Sequence, residues 1–176
     1  MTYAELINVI DFAAQKHRDQ RRKDGKGPGG TPYINHPIGV ARLLTETGVD
    51  DLDTLKAAIL HDVIEDTDTN EQELTESFGE SVAGIVMEVT DDKSLPKAER
   101  KRLQIVNAPG KSLGAKLVKL ADKLYNCSDL ERCTPKGWTE ERINAYYTHA
   151  QMVVGGLRGS NEKLESLLDE LFARHI

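Results

Sequence analysis

Cysteine is scarce. Cys127 and Cys133 are the only two, too few for a disulfide framework and lacking the CxxC spacing of a metal knuckle or redox pair. A reducing compartment, and so the cytoplasm, is the expected setting. Long apolar runs are missing too: none approaches the roughly 18 residues that a membrane-spanning helix needs. Met1-Thr2-Tyr3-Ala4-Glu5 has neither the basic nor the apolar region of a signal peptide. Positive charge is not in excess, with 23 Lys+Arg against 29 Asp+Glu and a formal net charge of −6. That balance argues against general nucleic-acid binding, so an anionic partner would have to be met by local basic clusters. Sustained period-two alternation, internal repeats and a GxxxxGK[ST] phosphate loop are all absent.

What remains is 176 residues patterned almost throughout at helical spacing. They predict one all-α domain over 1–176, a bundle of about eight to ten helices. A domain of this size buries a core without disulfides or structural metal. Thr2 and Glu5 form a capping box for a first helix carrying Leu6, Ile10, Ala13 and Ala14. A glycine-rich basic loop follows at about 21–30. It is either a solvated flexible connection or a flap carrying Arg22 and Lys23 over an anionic ligand. Asn35 is expected to cap a helix with Pro37 in its first turn and Gly48 beyond its end. One of Asp50, Asp51 and Asp53 caps the next, which is read as continuing through Leu60 into His61-Asp62-Val63-Ile64-Glu65-Asp66. Thr69 with Gln72, Ser81, Pro96, Ser112, Thr139 and Ser160-Asn161 mark the later starts. The run Lys97 to Arg102 reads as a solvated helix face.

The run from Leu60 to Asp66 carries the chemistry. It enters from apolar Ala57-Ala58-Ile59-Leu60, so it starts in the interior, and it holds two metal-type ligands followed by two carboxylates. If it is helical, His61 lies beneath Glu65 and Asp62 beneath Asp66. On the long helix from Ser112, Leu113, Leu117, Leu120 and Leu124 form one apolar stripe, and Val118, Ala121 and Tyr125 a second sector. Such a helix is buried between layers, where the Asp122 carboxylate is costly unless paired or metal-bound. His36, His61, Asp62 and Asp122 together offer a mixed N/O donor set. It suits a divalent first-row ion such as Mn²⁺ better than structural zinc. Such an ion acidifies a water it binds, and Glu65 and Asp66 lie within one turn to orient that water or shuttle a proton. His17, His149 and His175 read as structural or surface residues, Cys127 as packing, and Trp138 as an anchor for its turn.

Four stretches, taken together, resemble a known family: Thr31-Pro32-Tyr33-Ile34-Asn35-His36-Pro37, His61-Asp62-Val63-Ile64-Glu65-Asp66-Thr67, Val89-Thr90-Asp91-Asp92-Lys93, and Lys119-Leu120-Ala121-Asp122-Lys123-Leu124-Tyr125-Asn126. The His…His-Asp…Asp series resembles the HD superfamily of metal-dependent phosphohydrolases. The longer motifs are similar to the hydrolase domain of RelA/SpoT-type alarmone enzymes, above all the stand-alone small hydrolases resembling the metazoan SpoT homologue. The resemblance implies a Mn²⁺-dependent 3′-pyrophosphohydrolase of guanosine 3′-diphosphate 5′-di- or triphosphate, (p)ppGpp, yielding GDP or GTP and pyrophosphate. NADPH 2′-phosphatase or another nucleotide phosphohydrolase activity is the alternative. It implies that His36, His61, Asp62 and Asp122 hold the metal, that Glu65 and Asp66 activate or position water, and that Arg22 and Lys23 embrace base and phosphates. Asn126 would contact the nucleoside, with Arg142 and Tyr146 lining the pocket. The bifunctional relatives carry a synthetase domain that this chain does not reach, so degradation without synthesis is expected. The insertion at Gly25–Gly30 departs from the family pattern. A regulatory module that had lost chemistry would be expected to lack a ligand or the Glu-Asp pair, and none is missing.

Overall fold

The structure, a computed structural model, describes residues 3–23 and 30–176. Thr2 and most of the glycine-rich insertion, expected as a cap and as a flap, lie outside the described residues. Among those described there are ten α-helices and no strand. They are α1 (Tyr3–Lys16), α2 (Asn35–Glu46), α3 (Leu52–Leu60), α4 (Val63–Asp66), α5 (Glu71–Phe78), α6 (Glu80–Val89), α7 (Lys97–Asn107), α8 (Leu113–Arg132), α9 (Glu140–Gly155) and α10 (Glu162–His175). A short 3₁₀ turn, Ala108–Gly110, joins α7 to α8. The all-α architecture expected from the sequence is what is seen, and no helix of the described residues is long and apolar enough to cross a membrane.

The bundle is organised around α8, which packs against α2, α3, α6, α9 and α10. Its two apolar sectors explain this: Leu117, Leu120 and Leu124 are buried on one and Val118 and Ala121 on the other. Each leucine so enclosed contributes about 1.5–3 kcal/mol of transfer free energy. Leu113 departs from the expected stripe and is exposed, because it is the first residue of the helix and lies beyond the reach of its neighbours. Ser112 caps α8 by accepting from the Ala115 amide, and Thr139 and Asn161 do the same for α9 and α10. Asp51 is the one of three candidates that caps α3. Gly48 follows the end of α2 with φ 91°, a conformation that side chains resist.

Three expected starts move. Asn35 is already inside α2, because the Asn35 and His36 amides donate to Pro32 and Tyr33 carbonyls and Ile34 is helical. Asn70, and not Thr69, caps α5 by accepting from the Glu73 amide, while Thr69 is buried against Thr67. α6 begins at Glu80 after Gly79, one residue before Ser81. The run on α7 is a solvated face as expected, since no residue of that helix is fully buried.

Candidate active site

The expected helix through His61-Asp62 is broken, and the break makes the site. Neighbouring residues of a continuous α-helix point about 100° apart, which would drive a His-Asp pair in different directions. Instead α3 ends at Leu60, His61 and Asp62 form a turn, and α4 is a single turn that starts afterwards. His61 Nε2 thereby comes within 3.1 Å of Asp62 Oδ2. Of the expected four-residue stacking, only the backbone bond from the Asp66 amide to the Asp62 carbonyl, 2.9 Å, is kept.

His36, on the first turn of α2, places its Nε2 3.2 Å from His61 Nε2 and 3.5 Å from Asp62 Oδ2. Asp122 on α8 brings its Oδ1 to 3.2 Å from His36 Nε2 and 3.6 Å from His61 Nε2. The four residues singled out in the sequence therefore meet. His36, His61 and Asp122 are 1%, 4% and 7% exposed, so these charges are almost wholly removed from water. Burial opposes a charged His61, yet Asp62 and Asp122 outweigh it and push its pKa up to about 10. Burial likewise opposes charge on both carboxyls, and the imidazoles hold them well below the usual carboxylate range. The cluster thus needs a positive charge at its centre, which a proton or a metal ion can provide. His61 Nδ1 lies 2.8 Å from the Ala58 carbonyl, an acceptor only, so that nitrogen keeps its proton and Nε2 is the one that offers a lone pair once a bound ion displaces the second proton. A divalent cation fits this donor set: two imidazole nitrogens and two carboxylates, no thiolate. His36, His61 and Asp62 alone place donors within 4.8 Å of one another.

A second layer fixes these ligands. The Tyr33 hydroxyl donates to Asp62 Oδ2 at 2.5 Å, and burial together with Asp62 raises its pKa, keeping the phenol a donor. Asn126 Nδ2 donates to Asp122 Oδ1 at 2.6 Å. Arg22 in turn donates to Asn126 Oδ1 and Asp129 Oδ2, both at 2.9 Å. Burial disfavours its charge, but Asp129 more than restores it. An isolated bridge between Arg21 and Pro32 pins the strand-like segments bearing Arg22 and Tyr33 together. Tyr125 packs edge-on against His36 with centroids 5.0 Å apart.

Glu65 and Asp66 face different surroundings. Glu65 Oε2 accepts from the Asp91 amide at 3.2 Å, and burial raises its pKa against that bond. Asp66 accepts from Lys93 Nζ at 2.9 Å and Gln20 Nε2 at 2.8 Å. Asp66 also lines a cleft of about 420 Å³, together with Arg22, Lys23, Tyr33, Asn126, Trp138 and Tyr146. Arg142, expected to line the pocket, is not among the residues that line this cleft, but its guanidinium lies 4.2 Å from the centre of the Trp138 ring, which does. Trp138, read from sequence as an anchor, does pack on the core but also forms a wall of the cleft. Tyr33, Gln20, Lys93 and Asp129 carried no role on sequence grounds, and Tyr125 only that of an apolar-sector residue. For Tyr33, Tyr125 and Lys93, membership of the quoted motifs was the available signal; Gln20 and Asp129 offered none.

The profile of the HD domain family matches residues 10–150. The chain is 61% identical over 170 residues to the Homo sapiens protein named guanosine-3′,5′-bis(diphosphate) 3′-pyrophosphohydrolase MESH1, covering 96% of this chain and 93% of that one. It is 53% identical, at the same coverage, to the Drosophila melanogaster protein of that name. A solved structure described as a metazoan ortholog of SpoT that hydrolyzes ppGpp and plays a role in starvation responses superposes with a TM-score of 0.93 at 51% identity. That match covers 99% of this chain and 97% of the other. With the His…His-Asp…Asp cluster closed at a single point in the bundle, the chain belongs to the HD domain family.

Proposed function

We propose that this protein hydrolyses guanosine 3′-diphosphate 5′-di- or triphosphate to GDP or GTP and pyrophosphate, using a divalent ion. The observation that carries the reading is the junction of two features: a buried cluster of donors for a cation, and a basic, aromatic cleft whose wall residues Tyr33 and Asn126 hydrogen-bond the cluster's carboxylates. Relatives similar over nearly the whole chain bear this activity in their names. His36, His61, Asp62 and Asp122 are the residues to hold the ion, for which Mn²⁺ is the best match to an N/O set with room for further ligands. When bound, the ion supplies Lewis acidity to a phosphoryl oxygen and to water.

The chain's own residues do the rest. Tyr33 and Asn126 hold the two carboxylates in register through hydrogen bonds of 2.5 and 2.6 Å. Arg22 and Lys23 meet the negative charge of the nucleotide, and the rings of Trp138 and Tyr146 offer faces for its base. Asp66, anchored by Lys93 and Gln20, orients the attacking water. Glu65, whose burial favours the protonated form, accepts a proton during attack or supplies one to the departing 3′-oxygen. In the balanced step the water oxygen bonds to phosphorus, the bond from phosphorus to the 3′-oxygen breaks, and a proton ends on that oxygen.

Asp122→Ala tests the metal assignment by removing a ligand; because it also frees Asn126 of the cleft wall, GDP binding is measured on the same variant to separate the two effects. Pyrophosphate release with Mn²⁺ is expected to fall by at least two orders of magnitude, and near-full activity refutes the assignment. Comparing kcat/KM for (p)ppGpp and NADPH on one preparation separates pyrophosphohydrolase from 2′-phosphatase, since discrimination lies in that ratio.

A further inference from the structure

A second cavity, of about 340 Å³, opens between the α6–α7 connection, α7 and the start of α8, and shares no lining residue with the cleft. Its wall carries three cationic side chains, Arg100 of α7, Lys111 before α8 and Lys119 of α8, beside three carboxylates, Glu88, Asp91 and Asp92. Among the described residues none of the three has a carboxylate oxygen within 4.0 Å. Lys119 is only 8% exposed and makes no hydrogen bond among those residues. Arg100 Nε is buried with no hydrogen-bond partner. Lys111 donates to the Glu88 backbone carbonyl, and burial together with Lys119 lowers its pKa. The carboxylates nearby are engaged by neutral donors. Asp91 accepts from Gln104 at 2.6 Å, Asp92 from the Ser94 amide at 2.9 Å, and Glu88 from the Ser112 amide at 2.7 Å. Those wall carboxylates and Glu65 offset part of the repulsion between the cations, but with Lys119 almost wholly buried and none of the three ion-paired among the described residues, the cluster still favours an anion that bridges them.

The location adds meaning. Lys119 precedes Asp122 by three residues and so shares its face of α8. The Asp91 amide, on the cavity wall, holds Glu65. The Asp91 amide and Lys119 therefore tie the cavity wall to Glu65 and to the face of α8 that carries Asp122. A released diphosphate keeps one phosphorus where the bond was cut, and its far phosphate must lie away from the nucleoside. We propose that this cavity is the subsite for that far phosphate, with Arg100, Lys111 and Lys119 as its ligands. The inference rests on the hydrolase reading above and extends it to the leaving group.

The test is calorimetric binding of inorganic pyrophosphate and of inorganic phosphate to the full chain, with Mn²⁺ and again with chelator. Wild type is compared with Arg100→Gln, Lys111→Gln and, as a charge control on exposed α7 surface, Arg102→Gln. The expected result is a preference for pyrophosphate over phosphate that falls at least tenfold in Arg100→Gln and in Lys111→Gln, but not in Arg102→Gln. Circular dichroism establishes that each variant is folded. Unchanged preference in both folded cavity variants overturns the proposal, as does an equal fall in the control. Because binding needs no turnover, the two readings fail separately. A preference lost in the cavity variants of a protein that cleaves no nucleotide keeps the anion site and overturns the hydrolase reading alone.

Discussion

Replacing Tyr33 by phenylalanine removes a single oxygen and asks how much the second layer contributes to holding the ion. That oxygen donates to Asp62 Oδ2 at 2.5 Å, the same carboxylate oxygen that faces both imidazoles. The ring itself would stay, because it is wedged against His17 and His36 with centroids 4.9 and 5.7 Å apart. Packing should therefore be kept, and the ion-free fold should lose no more than the bond itself contributes. A hydrogen bond to a charged group contributes about 1.5–3 kcal/mol, and each 1.4 kcal/mol is tenfold. The dissociation constant for Mn²⁺ is accordingly expected to rise by about 10- to 100-fold, in line with outer-layer partners of metal ligands generally. Calorimetric titration measures it directly, and activity at saturating metal supplies the control. A constant within twofold of wild type would refute the argument that Tyr33 positions Asp62. Activity that saturating Mn²⁺ fails to restore would place the hydroxyl in the chemistry instead.

Gly39→Ala should destabilise by about 1–3 kcal/mol, because its added methyl would lie 2.0 Å from Tyr125 Cε2 in a ring that packs on His36. Differential scanning calorimetry reads this as a Tm lower by roughly 2–12 °C, and Tyr125→Leu in the same chain should recover part of it. Asp51→Ala should cost about 1 kcal/mol through loss of the α3 cap. Bonds from the Thr54 hydroxyl and amide lower the Asp51 pKa, so its contribution is present above pH 3.8 and lost as pH falls through the lower, folded value. Urea midpoints of wild type and variant should therefore converge on acidification; a gap that stays constant to pH 2 would contradict the cap. Trp138, the sole tryptophan, lines the cleft. Its fluorescence should change on titration with GDP in wild type, and Arg22→Gln should shift that titration to at least tenfold higher concentration; identical curves would remove Arg22 from the nucleotide contacts.

Residue type announced the ligands, while backbone geometry decided how they meet. His61 and Asp62 were legible because polar, metal-type side chains entering from an apolar run are costly to bury without an ion or a partner. Their convergence was not, since it depends on α3 stopping at Leu60, and no glycine or proline marks that stop. Asp122 was legible by the cost of its burial, whereas Tyr33 looked like any half-buried aromatic before a helix. The misplaced cap at Asn35 has the same origin: bonds to Pro32 and Tyr33 start the helical path before the side chain that favours a cap is reached. Arg100 read as one member of a solvated charge run, which its helix is. Only the packing of α7 near Lys111 and Lys119 turns its inner edge toward a cavity.

In the proposed mechanism the break after Leu60 also gives adjacent carboxylates separate tasks. Glu65 and Asp66 are neighbours in a single helical turn, and two carboxylates so close would ordinarily be interchangeable in the solvent they see. Here Asp66, in the wall of the cleft, turns to a cation and an amide, Lys93 and Gln20. Glu65 turns to the Asp91 amide and is buried enough for its pKa to rise. Environments that push two titratable groups apart are what divides an orienting carboxylate from a proton carrier. Lys93 ties the pair together, donating to the Glu65 carbonyl and the Asp66 side chain. The division therefore does not depend on either acid's identity as Asp or Glu. It depends on α4 being a single turn clamped from the α6–α7 connection, which faces Asp66 toward the cleft and Glu65 toward the Asp91 amide.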